Sequence, residues 1–190
     1  MEKVLCLMTE KDGVVAVDAW SCPQVSKEHE DEKSRKKPEP NIALKKPAKQ
    51  STTYSWAGES SPASLAVDGN NGTDFVVDKC SCTKGGDTNP WWLVDLQAVY
   101  HIDYVRIFNR GMDKWGADVA NRLRDVTVTV GMTESDVSTP CGVFAGPGTL
   151  SQVVDIYCPN TLPMGRFVKI SKTTDFLTLC EVEVFGYPDQ

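Results

Sequence analysis

The sequence predicts an all-β domain, a β-sandwich or jelly roll, behind a charged N-terminal segment, and three observations lead there. The stretch RDVTVTVG at 124–131 alternates strictly, with Val126, Val128 and Val130 on one face and Thr127 and Thr129 on the other, as a half-buried strand requires. The stretch NPWWLVDLQAVYHIDYVRIFNR at 89–110 opens on a turn dipeptide and reads as two consecutive strands broken near Gln97. Pro140, Gly146-Pro147-Gly148, Pro159-Asn160 and Pro163 separate further short apolar runs, with no helical pattern longer than a turn or two. Missing helices exclude a doubly wound α/β fold, and close strand spacing favours a sandwich.

In chain order, residues 4–8 are a short apolar run followed at once by Glu10, Lys11 and Asp12. A secretory signal core needs about 7–15 apolar residues, so no signal peptide is visible. A missing true start or a fragment of a longer secreted protein is expected ahead of an intracellular protein. Residues 27–40, KEHEDEKSRKKPEP, lack any large apolar side chain and mix both charge signs, which reads as a flexible linker with His29 solvated. The boundaries expected are therefore 1–40 for a disordered N-terminal segment and linker, 41–187 for the domain and 188–190 for a C-terminal tail.

Net charge is −6 over 190 residues, with no basic stripe beyond a short N-terminal run, which argues against nucleic acid as partner. No apolar run approaches the ~18 residues of a membrane span, so no membrane insertion is expected. Seven cysteines leave one over, yet Cys80, Cys82, Cys141, Cys158 and Cys180 lie in or beside predicted strands, as structural bridges in an oxidising compartment would. Buried free thiols are the other reading. A zinc site fits less well, because Cys80-Ser81-Cys82 has one intervening residue and no matching second pair.

Within the domain, Trp91 and Trp92 are chain neighbours and must point to opposite faces of a strand, one into a core and one outward. The second strand, 99–108, ends at Asn109-Arg110-Gly111, placing a guanidinium where a strand meets a loop. Strands are also predicted over 152–157, 166–171 and 177–185. His101 reads as a cross-strand surface residue. Asn71-Gly72-Thr73 is a glycosylation sequon, usable in a secreted chain. No serine or cysteine nucleophile comes with a plausible histidine partner and no motif singles out paired carboxylates, so no enzyme is expected.

The ordered motifs Asn41-Ile42-Ala43-Leu44, Ala66-Val67-Asp68-Gly69-Asn70, Cys82-Thr83, Asn89-Pro90-Trp91-Trp92, Val94-Asp95-Leu96, Asn109-Arg110, Arg122-Leu123 and Leu179-Cys180-Glu181-Val182-Glu183-Val184 resemble the F-type lectin, or fucolectin, family. The resemblance covers about 41–187. It implies an eight-stranded jelly roll of the discoidin-like sandwich type, a structural Ca²⁺ and a shallow fucose site on loops. The calcium positions it implies are Leu65, Asp68, Asn70, Ser81, Cys180 and Glu181. Asp68 and Glu181 are hard carboxylates, and backbone carbonyls of a Gly/Asn-rich turn can complete the ~6–8 oxygens calcium takes. A plain turn at Asp68-Gly69-Asn70 is the competing reading. The resemblance also implies bridges Cys82–Cys180 and Cys141–Cys158. Cys6 with Cys22 is then open, and Cys80 is unassigned.

The family's sugar signature is a histidine, then about two dozen residues later an arginine, an aspartate two positions on and a second basic residue five beyond. Arg110 and Arg122 match the two basic positions. Lys84 stands at the histidine position, and Met112 stands at the aspartate position with Asp113 one place late. The loop 111–121 is longer than the family pattern and lacks the cysteine pair that packs on the sugar. Asp113 is expected to take over the arginine-orienting role and Trp115 to supply an apolar face for sugar C–H groups. Two function classes follow. One is a calcium-stabilised lectin for fucose or a related, even anionic, terminal sugar on glycans of cell-surface glycoproteins. The other is a discoidin-like adhesion module whose sugar site has decayed and whose loops bind a protein. Single sugar sites are weak and lectins gain avidity by multivalency, which makes a homo-oligomer a candidate arrangement.

Overall fold

The structure is a computed structural model that describes the backbone of Cys6–Glu10 and Gly13–Val17 and all of residues 40–189. The chain divides into two units, Met1–Pro38 and Glu39–Gln190. In the first, β1 (Cys6–Glu10) and β2 (Gly13–Val17) form an antiparallel hairpin with Cys6 opposite Val17 and Glu10 opposite Gly13. This corrects the expectation of a wholly disordered segment. The linker at 27–39, His29 and any pairing of Cys6 with Cys22 lie outside the described residues.

The second unit is built from β3 (Ala48–Gln50), β4 (Ser55–Trp56), β5 (Glu59–Ser60), β6 (Ser81–Cys82), β7 (Trp91–Phe108), β8 (Val126–Gly131), β9 (Thr139–Phe144), β10 (Val153–Tyr157), β11 (Met164–Ser171), β12 (Thr178–Leu179) and β13 (Glu181–Pro188). The two strands expected over 91–108 are one, β7. Gln97 bends it at φ 65°, with the Asp95 carboxylate accepting from the Gln97 backbone N–H, and the ladder continues on both sides of the bend. The first half of β7 pairs with β3 and β11, and β11 leads on to β8 and β9. The second half pairs with β10 and β13. One strand therefore serves both sets of strands. The run 177–185 is two strands instead of one, broken at Cys180. Strand β13 continues through Pro188, and the Asp189 N–H donates to the Val99 carbonyl, so the domain extends beyond 187.

Pattern becomes packing most directly in β8, where Val126, Val128 and Val130 are fully buried and the threonines between them half-buried. Trp92 is fully buried and donates its indole N–H to the Ala63 carbonyl at 3.0 Å, whereas Trp91 lies at the surface side with the Lys169 ammonium 5.8 Å from its ring. Ile102, Val105, Ile107, Val168, Ile170, Val182 and Val184 complete the core. Cys141 and Cys158 are joined and close a loop of 17 residues, worth about 3 kcal/mol by loop-closure entropy. His101 stacks on Tyr187 and meets Asp189 at 3.3 Å, a surface cross-strand arrangement.

Candidate functional site

Two polar regions stand beside this core. The first surrounds Glu181, which opens β13 and is fully buried. Its Oε1 accepts from the Gly69 N–H at 3.1 Å, and its Oε2 is buried with no partner. Gly69 takes φ 88°, a left-handed conformation that brings its N–H to the carboxylate at little steric cost. Burial pushes the Glu181 carboxyl up to about 8, and the nearby charges of Asp68 and Glu183 push the same way against the backbone N–H of Gly69. Asp68 and Asn70 are exposed on the same turn, where Asp68 accepts from the Asn70 N–H and Asn70 from the Gly72 N–H. Leu65 is half-buried in the short 3-10 turn Ala63–Ala66, and Ser81 and Cys180 are buried on either side of the β6–β12 ladder. Among the described residues, no cluster of three or more His, Cys, Asp or Glu side chains is placed for a metal. A cation here would rest on the two carboxylates and on carbonyl oxygens.

The disulfide beside this region corrects the expected pairing. Cys80, not Cys82, is bonded to Cys180, across a separation of 100 residues, and Cys82 is a free, buried thiol. The bridge ends the segment before β6, whose Cys82 instead faces Thr178 across the ladder, its Sγ 3.3 Å from the Thr178 hydroxyl. The assignment of Lys84 counts two residues on from Cys82 as the bridge cysteine, and the bridge at Cys80 removes that ground. Lys84 is exposed, ties down only its own backbone to Thr52 and does not line the cleft described next.

The second region is a cleft of about 320 Å³ into which Arg110, Asp113, Trp115 and Arg122 converge with Cys82, Tyr54, Phe75 and Phe176. Arg110 follows the end of β7, where ladder hydrogen bonds fix the backbone. Gly111 comes next and packs closely, for a Cβ there would lie 2.5 Å from the Ser151 hydroxyl and 2.6 Å from that of Thr73. The Arg110 guanidinium lies 4.4 Å over the Phe75 ring and donates from Nη2 to Asp113 at 2.7 Å. Its Nε is buried without a partner. Asp113 therefore orients Arg110 despite its one-place offset. Backbone N–H groups of Ala117 and Trp115, with Arg110, hold its carboxyl below the usual carboxylate range against burial. Exposed Met112 plays no such part.

Arg122 lies 4.2 Å over Phe176, and its carbonyl accepts from the buried Lys172 ammonium, whose pKa burial pushes down. The Asn109 amide donates to the Ala120 and Thr149 carbonyls, closing the loop between the two arginines. Burial pushes the Cys82 thiol up, against Thr178 and the two arginines, so it is an uncharged group at neutral pH. Trp115 does not fold back onto the domain. It is 60% exposed and meets Trp56 edge to face, 5.4 Å between centroids. Sequence reasoning missed Cys82, Tyr54, Trp56, Phe75, Phe176 and Lys172. No local signal in the sequence marked any of them.

The arrangement offers guanidinium donors stacked on aromatic rings, one carboxylate and apolar ring faces, the equipment for hydroxyl-bearing ligands with apolar C–H faces. Residues 65–170 match the model of the NedA-like, galactose-binding domain family. The chain is 35% identical over 148 residues to Fucolectin-1 of Anguilla japonica, covering 76% of this chain and 79% of that protein. It is 36% identical over 151 residues to Fucolectin of Anguilla anguilla, covering 76% and 89%. The crystal structure of the f-lectin from striped bass (Morone saxatilis) serum superposes with a TM-score of 0.66 at 34% identity, covering 80% of this chain and 50% of that one. A fucose binding module of Streptococcus pneumoniae gives 0.63 at 27% identity, covering 78% and 96%. The chain belongs to the fucolectin, or F-type lectin, family.

Proposed function

We propose that the cleft between Arg110 and Arg122 binds fucose or a related terminal sugar on glycans. Membership of a lectin family makes the chain a binding module and not an enzyme. The observation that carries the reading is the buried, unpartnered Nε of Arg110, on a side chain already fixed by Asp113 and Phe75. A buried N–H donor left unpaired is costly, and a ligand oxygen satisfies it. The similar fucose binding module of Streptococcus pneumoniae, and the lectin domain of lectinolysin complexed with the Lewis B antigen, support the ligand class. Cys82 in the cleft supplies only a weak donor and acceptor, so the two arginines hold the sugar hydroxyls and Trp115 covers its apolar side.

The reading extends to a structural Ca²⁺ held by Glu181, Asp68 and oxygens of Leu65, Asn70, Ser81 and Cys180. The orphaned Glu181 Oε2 fits such an ion, which would supply the positive charge that this buried acid lacks. The two disulfides among the described residues and a relative from serum support an extracellular setting, with cell-surface glycoproteins as partners. Among the described residues, no helix is long and apolar enough to cross a membrane. A glycan array run on the full chain with calcium and with chelator tests the reading. Binding of fucose-terminated glycans that weakens on chelation supports it. An array blank in both conditions returns the chain to the alternative, an adhesion module whose loops bind protein.

A further inference from the structure

Asn71-Gly72-Thr73 is the one Asn-x-Ser/Thr triplet in the 190 residues, and neither polar region described above draws on Asn71. The triplet lies in the loop between the short 3-10 turn Ala63–Ala66 and the turn Phe75–Lys79. Its surroundings are fixed on both sides. Asn70 donates from its amide to the Asp78 carbonyl at 2.9 Å and accepts from the Gly72 N–H at 3.0 Å. A Cβ on Gly72 would lie 2.2 Å from the Asp78 carboxyl carbon, so the chain packs closely there. Thr73 accepts from the Gly111 N–H through its carbonyl at 2.9 Å, and its hydroxyl meets that of Ser151 at 2.7 Å. Asn71 differs from these neighbours. Its side chain is exposed and makes no hydrogen bond among the described residues. A loop pinned before and after this position presents an idle carboxamide to solvent, away from the residues that line the cleft.

We infer that Asn71 is a modification site, carrying an asparagine-linked oligosaccharide added as the chain enters the secretory pathway. This is independent of what the cleft binds and rests on the extracellular setting that the two disulfides support. In the transfer, Asn71 Nδ2 displaces the diphosphate from C1 of a lipid-diphosphate-linked oligosaccharide. The N–C1 bond forms and the C1–O bond breaks. The lipid diphosphate leaves with the bonding pair, and the amide nitrogen gives up one proton. The Thr73 hydroxyl that completes the acceptor triplet is engaged in the fold by Ser151, 78 residues further along, so transfer precedes that contact. Once attached, the oligosaccharide stands over the exposed turn at 68–71 and leaves the cleft open.

Intact-mass spectrometry tests this on the full chain expressed in vertebrate cells behind a secretion leader and recovered from medium and cells alike, before and after peptide-N-glycosidase treatment. The wild type is expected to carry mass above that of the polypeptide, and enzymatic release is expected to leave an aspartate at position 71 in the peptide map. Asn71→Gln is expected to lose the added mass and keep its Tm, because the side chain holds nothing in the fold. Thr73→Ala should lose the added mass too. Ser151→Ala breaks the same hydrogen bond but keeps the triplet whole, so it should retain the oligosaccharide. A wild-type chain with no releasable oligosaccharide overturns the site and spares the cleft. Added mass that survives Asn71→Gln overturns it as well, and loss from Ser151→Ala overturns the order of events, since transfer would then need the folded contact.

Discussion

The Glu181 pocket and the arginine cleft are opposites. One buries an acid whose Oε2 has no partner, and the other buries a cation whose Nε has none. The acid region holds Glu181 against Asp68, so charge repulsion adds to desolvation. The basic region sets Arg110 and Arg122 against one carboxylate, Asp113, whose oxygens are already engaged by Arg110 and two backbone N–H groups. A domain satisfies its buried polar groups unless something else is to do so. The contrast is consistent with the proposed metal cation for one region and the proposed sugar for the other.

The largest expected effect bears on the acid side. Calcium at a hundred times its Kd should stabilise the chelator-treated protein by about 2.7 kcal/mol, a Tm rise of roughly 6–10 °C for a domain of this size. Asp68→Ala should remove that rise in the same melting experiment, and an unchanged wild-type Tm would dissolve the contrast. On the basic side, Arg110→Lys should weaken glycan binding about tenfold to a hundredfold, the ~1.5–3 kcal/mol of a hydrogen bond to a charged donor, with Tm lowered by a few degrees at most. A lysine variant that binds equally well places the ligand elsewhere.

A pH series sharpens the comparison further. The Glu181 carboxyl is raised in the folded, cation-free state from 4.5 to about 8, so the native protein keeps a proton that the unfolded chain releases. Its stabilising contribution is complete below about 4.5 and lost as pH rises through 8, so Tm in chelator should fall across that window and calcium should flatten it. Glycan affinity should stay level from about pH 6 to 8, because the cleft is lined by no histidine and its Cys82 thiol is neutral there. The smallest effect concerns Lys84→Ala, for which calorimetry should find affinity changed by less than about twofold, since Lys84 lies outside the cleft.

Legibility followed how local each signal was. The alternation of β8 was readable because one face is core and the other is not. Strand β9 was not, because Pro140 looks like a breaker, yet it sits on an edge strand beside a register shift, where a missing N–H costs no ladder bond. Arg110, Asp113 and Arg122 were placed by the family resemblance, the last two off its spacing, and do converge. The exchange of Cys80 for Cys82 could not be read from spacing, because two cysteines two residues apart are equally plausible partners in sequence and only the fold shows which one reaches Cys180. Lys84 lies outside the cleft, and no local pattern in the sequence marks it as such. Trp56, Phe75 and Phe176 lie in segments without periodicity, so nothing local marked them as neighbours of the arginines.

The continuity of β7 has a kinetic consequence. Leu93 and Val94 bond to β3 and β11, and Val105 and Ile107 on the same strand bond to β10 and β13. Neither set of strands can be completed before this strand is in register with partners far along the chain, and loop-closure entropy must be met before those contacts form. Folding should then be slow, in the millisecond-to-second range of β-sandwiches, and the amides of both sets should exchange through one shared opening event instead of two.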